Sequence, residues 1–291
     1  MSASRVPRCM DIRSSDRQAG RMRSLTVSTA VERISELLSS AAPAQPALGQ
    51  SQPHGHAPAH VAHELPTPFR RMIIGLTGPP GSGKSTLAQH LSDASNRVGI
   101  ATVVVPMDGF HLAQARLDER GLASVKGAPE TFDADGYVAL LHRLRQPAVP
   151  LSEDQFNGDF PKTPYPQRFS RRDKQSVAAR SIWAPAFDRS LEEPIAGAIE
   201  IPPGAELIIT EGNYLLHPDE PWRQVRGLLD QVWFVDLPSD VRRARLTARH
   251  ERFGRTPEDA RAHALGSDER NALLINETRD LADALLIEDH G

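Results

Sequence analysis

Apolar residues fall along this chain in short dense blocks, and between the blocks they recur at helical intervals. Met72-Ile73-Ile74-Gly75-Leu76-Thr77 is one such block, followed by Leu87, Leu91, Ala94 and Val98 on one helical face. Ala101-Thr102-Val103-Val104-Val105, closed by Pro106, reads as a second strand. A helix is expected at about 133–146, with Asp133 as N-cap and Val138, Leu141 and Leu144 inward. Leu207-Ile208-Ile209-Thr210, Val232-Trp233-Phe234-Val235 and Leu285-Leu286-Ile287 supply strands three to five. The blocks are continuous rather than alternating, as in strands of a parallel sheet covered by helices on both faces. The pattern predicts an α/β fold.

Outside this rhythm the chain changes character. Val27, Val31, Ile34 and Leu38 share a face, and Thr29 with Glu32 has capping-box spacing, so a short helix is expected at about 28–40. Residues 41–68 are rich in Ala, Pro, Gln and His without any apolar period, as in a disordered linker. His54, His56, His60 and His63 lie in it, and with no acid or cysteine among them they read as linker residues, not metal ligands. The division expected is an N-terminal extension over 1–68 and a catalytic domain over 69–291. Within the domain, residues 147–182 hold five prolines and a cluster of basic residues, and read as an inserted surface loop.

Composition narrows the function classes. A net charge of −3 gives no global basic field, which argues against a nucleic-acid partner. Cys9 is the one cysteine, so no intramolecular disulfide forms and a cytoplasmic location is expected. No apolar run approaches the ~20 residues that would span a bilayer. The first 24 residues carry six arginines, but Asp11 and Asp16 argue against a transit peptide and for an unstructured extension or an overextended start with Met22 as the initiator.

The chemistry begins at Gly78-Pro79-Pro80-Gly81-Ser82-Gly83-Lys84-Ser85-Thr86, a phosphate-binding loop between a strand and a helix. Glycines let backbone N–H groups face phosphate oxygens, and the helix N-terminus adds its dipole. Lys84 is expected to reach the β and γ phosphates of ATP, and Ser85 to ligate Mg²⁺. Glu211, ending the third strand, is the candidate second Mg²⁺ group. Asp108 ends the second strand, where an acid can take a proton from a substrate hydroxyl. An aspartate before Gly109 is equally consistent with a plain turn. Arg242, Arg245, Arg249 and Arg252 form one stripe on a helix starting near Ser239, with Asp240 and Glu251 the only acids near them in sequence. Such a one-signed stripe reads as a lid closing on phosphates.

Together with Asp108-Gly109-Phe110-His111, Lys126-Gly127-Ala128-Pro129-Glu130-Thr131-Phe132-Asp133, Ala184-Pro185-Ala186-Phe187-Asp188-Arg189 and Glu211-Gly212-Asn213-Tyr214, the loop and stripe occur in a familiar order. Over about residues 70–288 the chain resembles the superfamily of uridine kinase, pantothenate kinase and phosphoribulokinase. Within it, the chain looks most like the bacterial nucleoside/nucleotide kinase family with its fructose kinase-like members. The resemblance implies an ATP-dependent phosphotransferase acting on a small-molecule hydroxyl, with a five-stranded parallel sheet in the order 2-3-1-4-5. It implies that Asp108 is the catalytic acid/base, that His111, Lys126, Asp188 and Arg189 line the acceptor pocket, and that Arg249 and Arg252 belong to the lid. Asn271 falls in a stretch, Ser267 to Ala272, that close relatives also carry. Homodimers are common in the superfamily, so a homodimer is a candidate assembly. Close relatives lack the roughly thirty residues interposed here before Ala184. A nucleotide-dependent ATPase or switch, or a catalytically weakened protein of this fold, are the alternative readings; no Asn-Lys-x-Asp guanine motif supports a switch.

Overall fold

The computed structural model describes residues 22–41, 69–147 and 181–287. The first 21 residues, the histidine-bearing linker and most of the expected insert lie outside the described residues. In chain order the strands are β1 (Ser24–Leu25), β2 (Met72–Thr77), β3 (Thr102–Pro106), β4 (Ile182–Asp188), β5 (Glu193–Ile201), β6 (Leu207–Gly212), β7 (Gln231–Val235) and β8 (Ala284–Leu286). The helices are α1 (Val27–Ala41), α2 (Lys84–Arg97), α3 (Gln114–Glu119), α4 (Ala134–Arg145), α5 (Arg223–Gly227), α6 (Ser239–Arg252), α7 (Pro257–Leu265) and α8 (Ser267–Asn276). None of them is long and apolar enough to cross a membrane.

One parallel sheet runs β1-β8-β7-β2-β6-β3. Five of its strands keep the expected order 2-3-1-4-5. The sheet has six strands rather than five, because Ser24 and Leu25 pair with Leu285 and Leu286 at its edge. Helix α1 follows at once. Its capping box is Thr26 with Thr29, not Thr29 with Glu32: Thr26 N donates to Thr29 Oγ1 at 2.8 Å.

The continuous apolar runs are explained by the two layers they serve. Ile73, Ile208, Val232, Phe234 and Leu285 face one core with α4. Met72, Ile74, Leu76, Ile209, Trp233 and Val235 face the other with α1 and α2. Successive side chains point to opposite faces, so a strand buried on both needs apolar residues at every position. At a layer's mouth, Phe132 packs edge-on to Tyr214 and Trp222, each 5.7 Å away between ring centres.

Strands β4 and β5 form a separate antiparallel hairpin. The segment from Ala184 to Arg189 is therefore a strand running into its turn. Pro185 sits where the register shifts, between Ala184 and Ala186, the kind of irregularity at which a strand tolerates proline.

Candidate active site

The phosphate loop leaves β2 and enters α2 through glycines that need their freedom. Gly83 caps α2 in the left-handed region, with φ 91°. Gly81, at φ 79°, lies so close to α6 that a Cβ there would stand 2.6 Å from Leu246 Cγ. Lys84 Nζ is buried and donates to the carbonyls of Gly78 (2.8 Å) and Pro79 (3.0 Å). Burial lowers its pKa to about 8, against the pull of Glu211 and Asp108. Pro79 and Pro80 are buried, whereas Ser85 and Thr86 are exposed on the first turn of α2.

Ser85 Oγ donates to Glu211 Oε1 at 2.8 Å, so the two candidate Mg²⁺ groups already touch. Burial, then repulsion from Asp108, raises the Glu211 pKa to about 6. The residues fit a phosphate chain. Among the described residues, Ser82 Oγ is buried without a hydrogen-bond partner, the Lys84 ammonium donates to two carbonyls, and the first N–H groups of α2 have no partner within their helix. They also fit Mg²⁺, which takes few protein ligands and leaves the rest to phosphate and water.

Asp108 lies in a single 3-10 turn, Met107–Phe110, at the carboxyl end of β3. Its Oδ2 accepts a long hydrogen bond from Arg189, 3.4 Å away at the tip of the β4-β5 hairpin. Gly109 lets the hairpin approach: a Cβ there would be 2.3 Å from the Pro185 carbonyl oxygen. The His111 ring lies 4.0 Å from Phe132 and 4.8 Å from Phe187, with Nδ1 2.8 Å from the Asp108 carbonyl. Burial lowers its pKa and favours the neutral ring. The charges of Asp108, Glu211, Arg189 and Arg249 all act on Lys84, which gathers the candidates from five elements of sequence into one field.

Two acceptor candidates are engaged elsewhere. Lys126 Nζ donates to Gln114 Oε1 (3.1 Å) and the Glu192 carbonyl (2.9 Å), and stands 5.3 Å over the Phe187 ring. Asp188 Oδ1 accepts from Ser190 N (2.8 Å), Ser190 Oγ (2.6 Å) and Leu191 N (3.2 Å), closing the hairpin turn. Both therefore shape the hairpin that borders Asp108.

The arginine stripe is not one-signed in space. Arg242 is 1% exposed and bonds Glu269, a contact shared with Arg243 at 2.5 Å. Arg242 also donates to the Pro80 carbonyl at 3.4 Å. Of the two expected lid arginines, only Arg249 is half-buried near the other candidates; burial and Arg189 lower its pKa. Arg252 is exposed in the last turn of α6. Spacing along α6 carried no sign of the Glu269 pairing, because the acid comes from α8. The same holds for Asp268, bonded to His250 at 2.8 Å, and for the Gly127 carbonyl, which accepts from Tyr214 Oη (2.5 Å) and Asn271 Nδ2 (3.2 Å).

A family model described as phosphoribulokinase/uridine kinase matches residues 73–284. The protein YggC of Escherichia coli K12 is 32% identical over 207 residues, covering 70% of this chain and 72% of its own. The ATP-dependent kinase-like protein notR' of Aspergillus versicolor is 32% identical over 172 residues, covering 57% of this chain and 84% of its own. The crystal structure of a candidate fructose transport system kinase from Silicibacter sp. TM1040 superposes with a TM-score of 0.60 at 36% identity, covering 76% of this chain and 91% of that one.

Proposed function

The chain belongs to the phosphoribulokinase/uridine kinase family, and on that premise we propose that it transfers the γ-phosphoryl group of ATP to a hydroxyl of a small metabolite: a sugar, pantothenate or a nucleoside. The observation that carries this reading is Asp108 beside a phosphate loop, at the carboxyl end of its strand and under a hairpin that encloses it. Binding on the loop is the work of Lys84 and the backbone N–H groups from Gly81 to Thr86, Pro79 and Pro80 having none to donate. Ser85 and Glu211 would hold Mg²⁺, which when bound offsets phosphate charge. Asp108 accepts the proton of the attacking hydroxyl, while Arg189 on Oδ2 orients the carboxylate. Lys84 and Arg249 stabilise the charge on the transferring group.

A coupled ADP-release screen across the three acceptor classes, run on the wild type and Asp108→Asn, tests the assignment. Acceptor-stimulated release is expected in the wild type, reduced by about 10²–10⁴-fold in the variant at nearly unchanged Mg–ATP affinity. ADP release indifferent to every acceptor would favour the ATPase or switch reading instead.

A further inference from the structure

The stretch Ser267 to Ala272 opens α8 and has no part in the chemistry above, yet its polar side chains reach in two directions. Toward α6, Asp268 Oδ2 meets His250 Nε2 at 2.8 Å, and Glu269 holds both Arg242 and Arg243. Arg242, almost wholly buried, continues to the Pro80 carbonyl inside the phosphate loop. Toward the acceptor side, Asn271 Nδ2 donates to the Gly127 carbonyl at 3.2 Å. The next residue back, Lys126, holds Gln114 and the Glu192 carbonyl at the tip of the hairpin. An unbroken series of polar contacts thus runs from Pro80 through Arg242 and Glu269, along half a turn of helix, to Asn271 and Gly127.

Gly127 suits the receiving end. Its φ of +97° is open to glycine and strained for other residues, and its carbonyl accepts from two side chains of distant segments. Those partners are Asn271 and Tyr214, and Tyr214 stands three residues beyond Glu211. The Gly127 carbonyl is therefore pinned between α8 and the end of β6.

We propose that the Asp268–Asn271 turn is a strut that couples the nucleotide loop to the acceptor segment, with Asn271 a positioning residue for Lys126 and Gly127. The proposal rests on the loop binding nucleotide. Because α8 grips α6 through two acids, a shift of α6 against a filled loop carries α8 with it, and Asn271 transmits that shift to residues 126–133.

Hydrogen–deuterium exchange of the full-length protein with and without Mg²⁺ and AMP-PNP reads this directly. In the wild type, nucleotide should slow exchange at 78–86 and also at 126–133. Asn271→Asp keeps the shape but has no N–H to donate, and Asn271→Ala removes both. In each, the loop should stay protected at unchanged nucleotide affinity, while nucleotide-dependent protection at 126–133 falls by about five-fold, the weight of one neutral hydrogen bond. A purely structural role would raise exchange in 126–133 equally with and without nucleotide, leaving the difference intact. That result overturns the strut, as does a wild type whose loop responds while 126–133 does not. If the loop itself shows no protection, nucleotide binding fails first and the strut falls with it.

Discussion

At the phosphate loop, burial pushes two opposite charges toward neutrality. Lys84 is depressed from 10.5 to about 8 and Glu211 raised from 4.5 to about 6, so both are charged only between those values. Lys84 folds with a lowered pKa, so the cost of its buried charge is present below about pH 8 and is relieved as pH rises toward 10.5. For Glu211 the folded value is the higher one, and its cost sets in as pH rises from 4.5 through 6. A bound phosphate chain and Mg²⁺ answer both costs, which predicts a bell-shaped affinity for Mg–ATP. Titration of a fluorescent nucleotide should show tightest binding between about pH 6 and 8, weakening by up to about ten-fold per pH unit on either side. Glu211→Gln should flatten the protein's share of the acid limb and leave the alkaline limb standing; a profile level from pH 5 to 9.5 would remove both assignments. These groups were legible because the loop motif and the strand ends fix them locally. Arg242 was not: its helix spacing matches that of a phosphate-seeking arginine, and its partner Glu269 lies 27 residues on, in another helix.

On the proposed assignment the hairpin β4-β5 is the element that makes a nucleotide site a two-substrate site, and Gly109 decides how near it comes. A Cβ at Gly109 would stand 2.3 Å from Pro185 O and 2.6 Å from Pro185 C, backbone atoms that cannot swing aside as a side chain does. Gly109→Ala should lift the hairpin from the Asp108 turn and lengthen the Arg189–Asp108 contact. We expect a loss of about 1–3 kcal/mol in urea unfolding, a raised KM for the acceptor and an unchanged affinity for Mg–ATP. An unaltered acceptor KM would mean that the hairpin does not border the acceptor. Five of the six sheet strands could be read because each is a compact apolar run bounded by Gly, Pro or an acid. The hairpin could not, since β5 is largely exposed and Pro185 and Pro194 interrupt the two strands. The cap of α4 was legible for the opposite reason, being wholly local: Asp133 accepts from Gly136 N.

For the molecule as a whole, the unexpected member is the segment from Ser24 to Ala41. It was read as a helix ahead of the catalytic domain, and a two-residue strand is too short to leave any periodic signal. In the fold it closes one edge of the sheet: Leu285 N donates to Arg23 O at 2.8 Å and Ile287 N to Leu25 O at 2.9 Å. Leu25, Ala30 and Ile34 are buried in the same layer as Leu87, Leu91 and Trp233. The layer that seats α2, and with it the phosphate loop, is thus completed by the N-terminal segment. Ile34→Ala should cost about 2–4 kcal/mol in urea unfolding, as expected for a large-to-small change in a close-packed core. Removing residues 1–41 should cost more, exposing the apolar face under α1 and leaving β8 as a bare edge open to pairing with other chains. The shortened protein should therefore unfold at lower urea and associate, as light scattering would detect. An unchanged urea midpoint in the truncated chain would show that the segment only decorates the sheet. A lowered midpoint with Mg–ATP affinity retained below the transition would show that it supports the layer behind the loop without touching the loop itself.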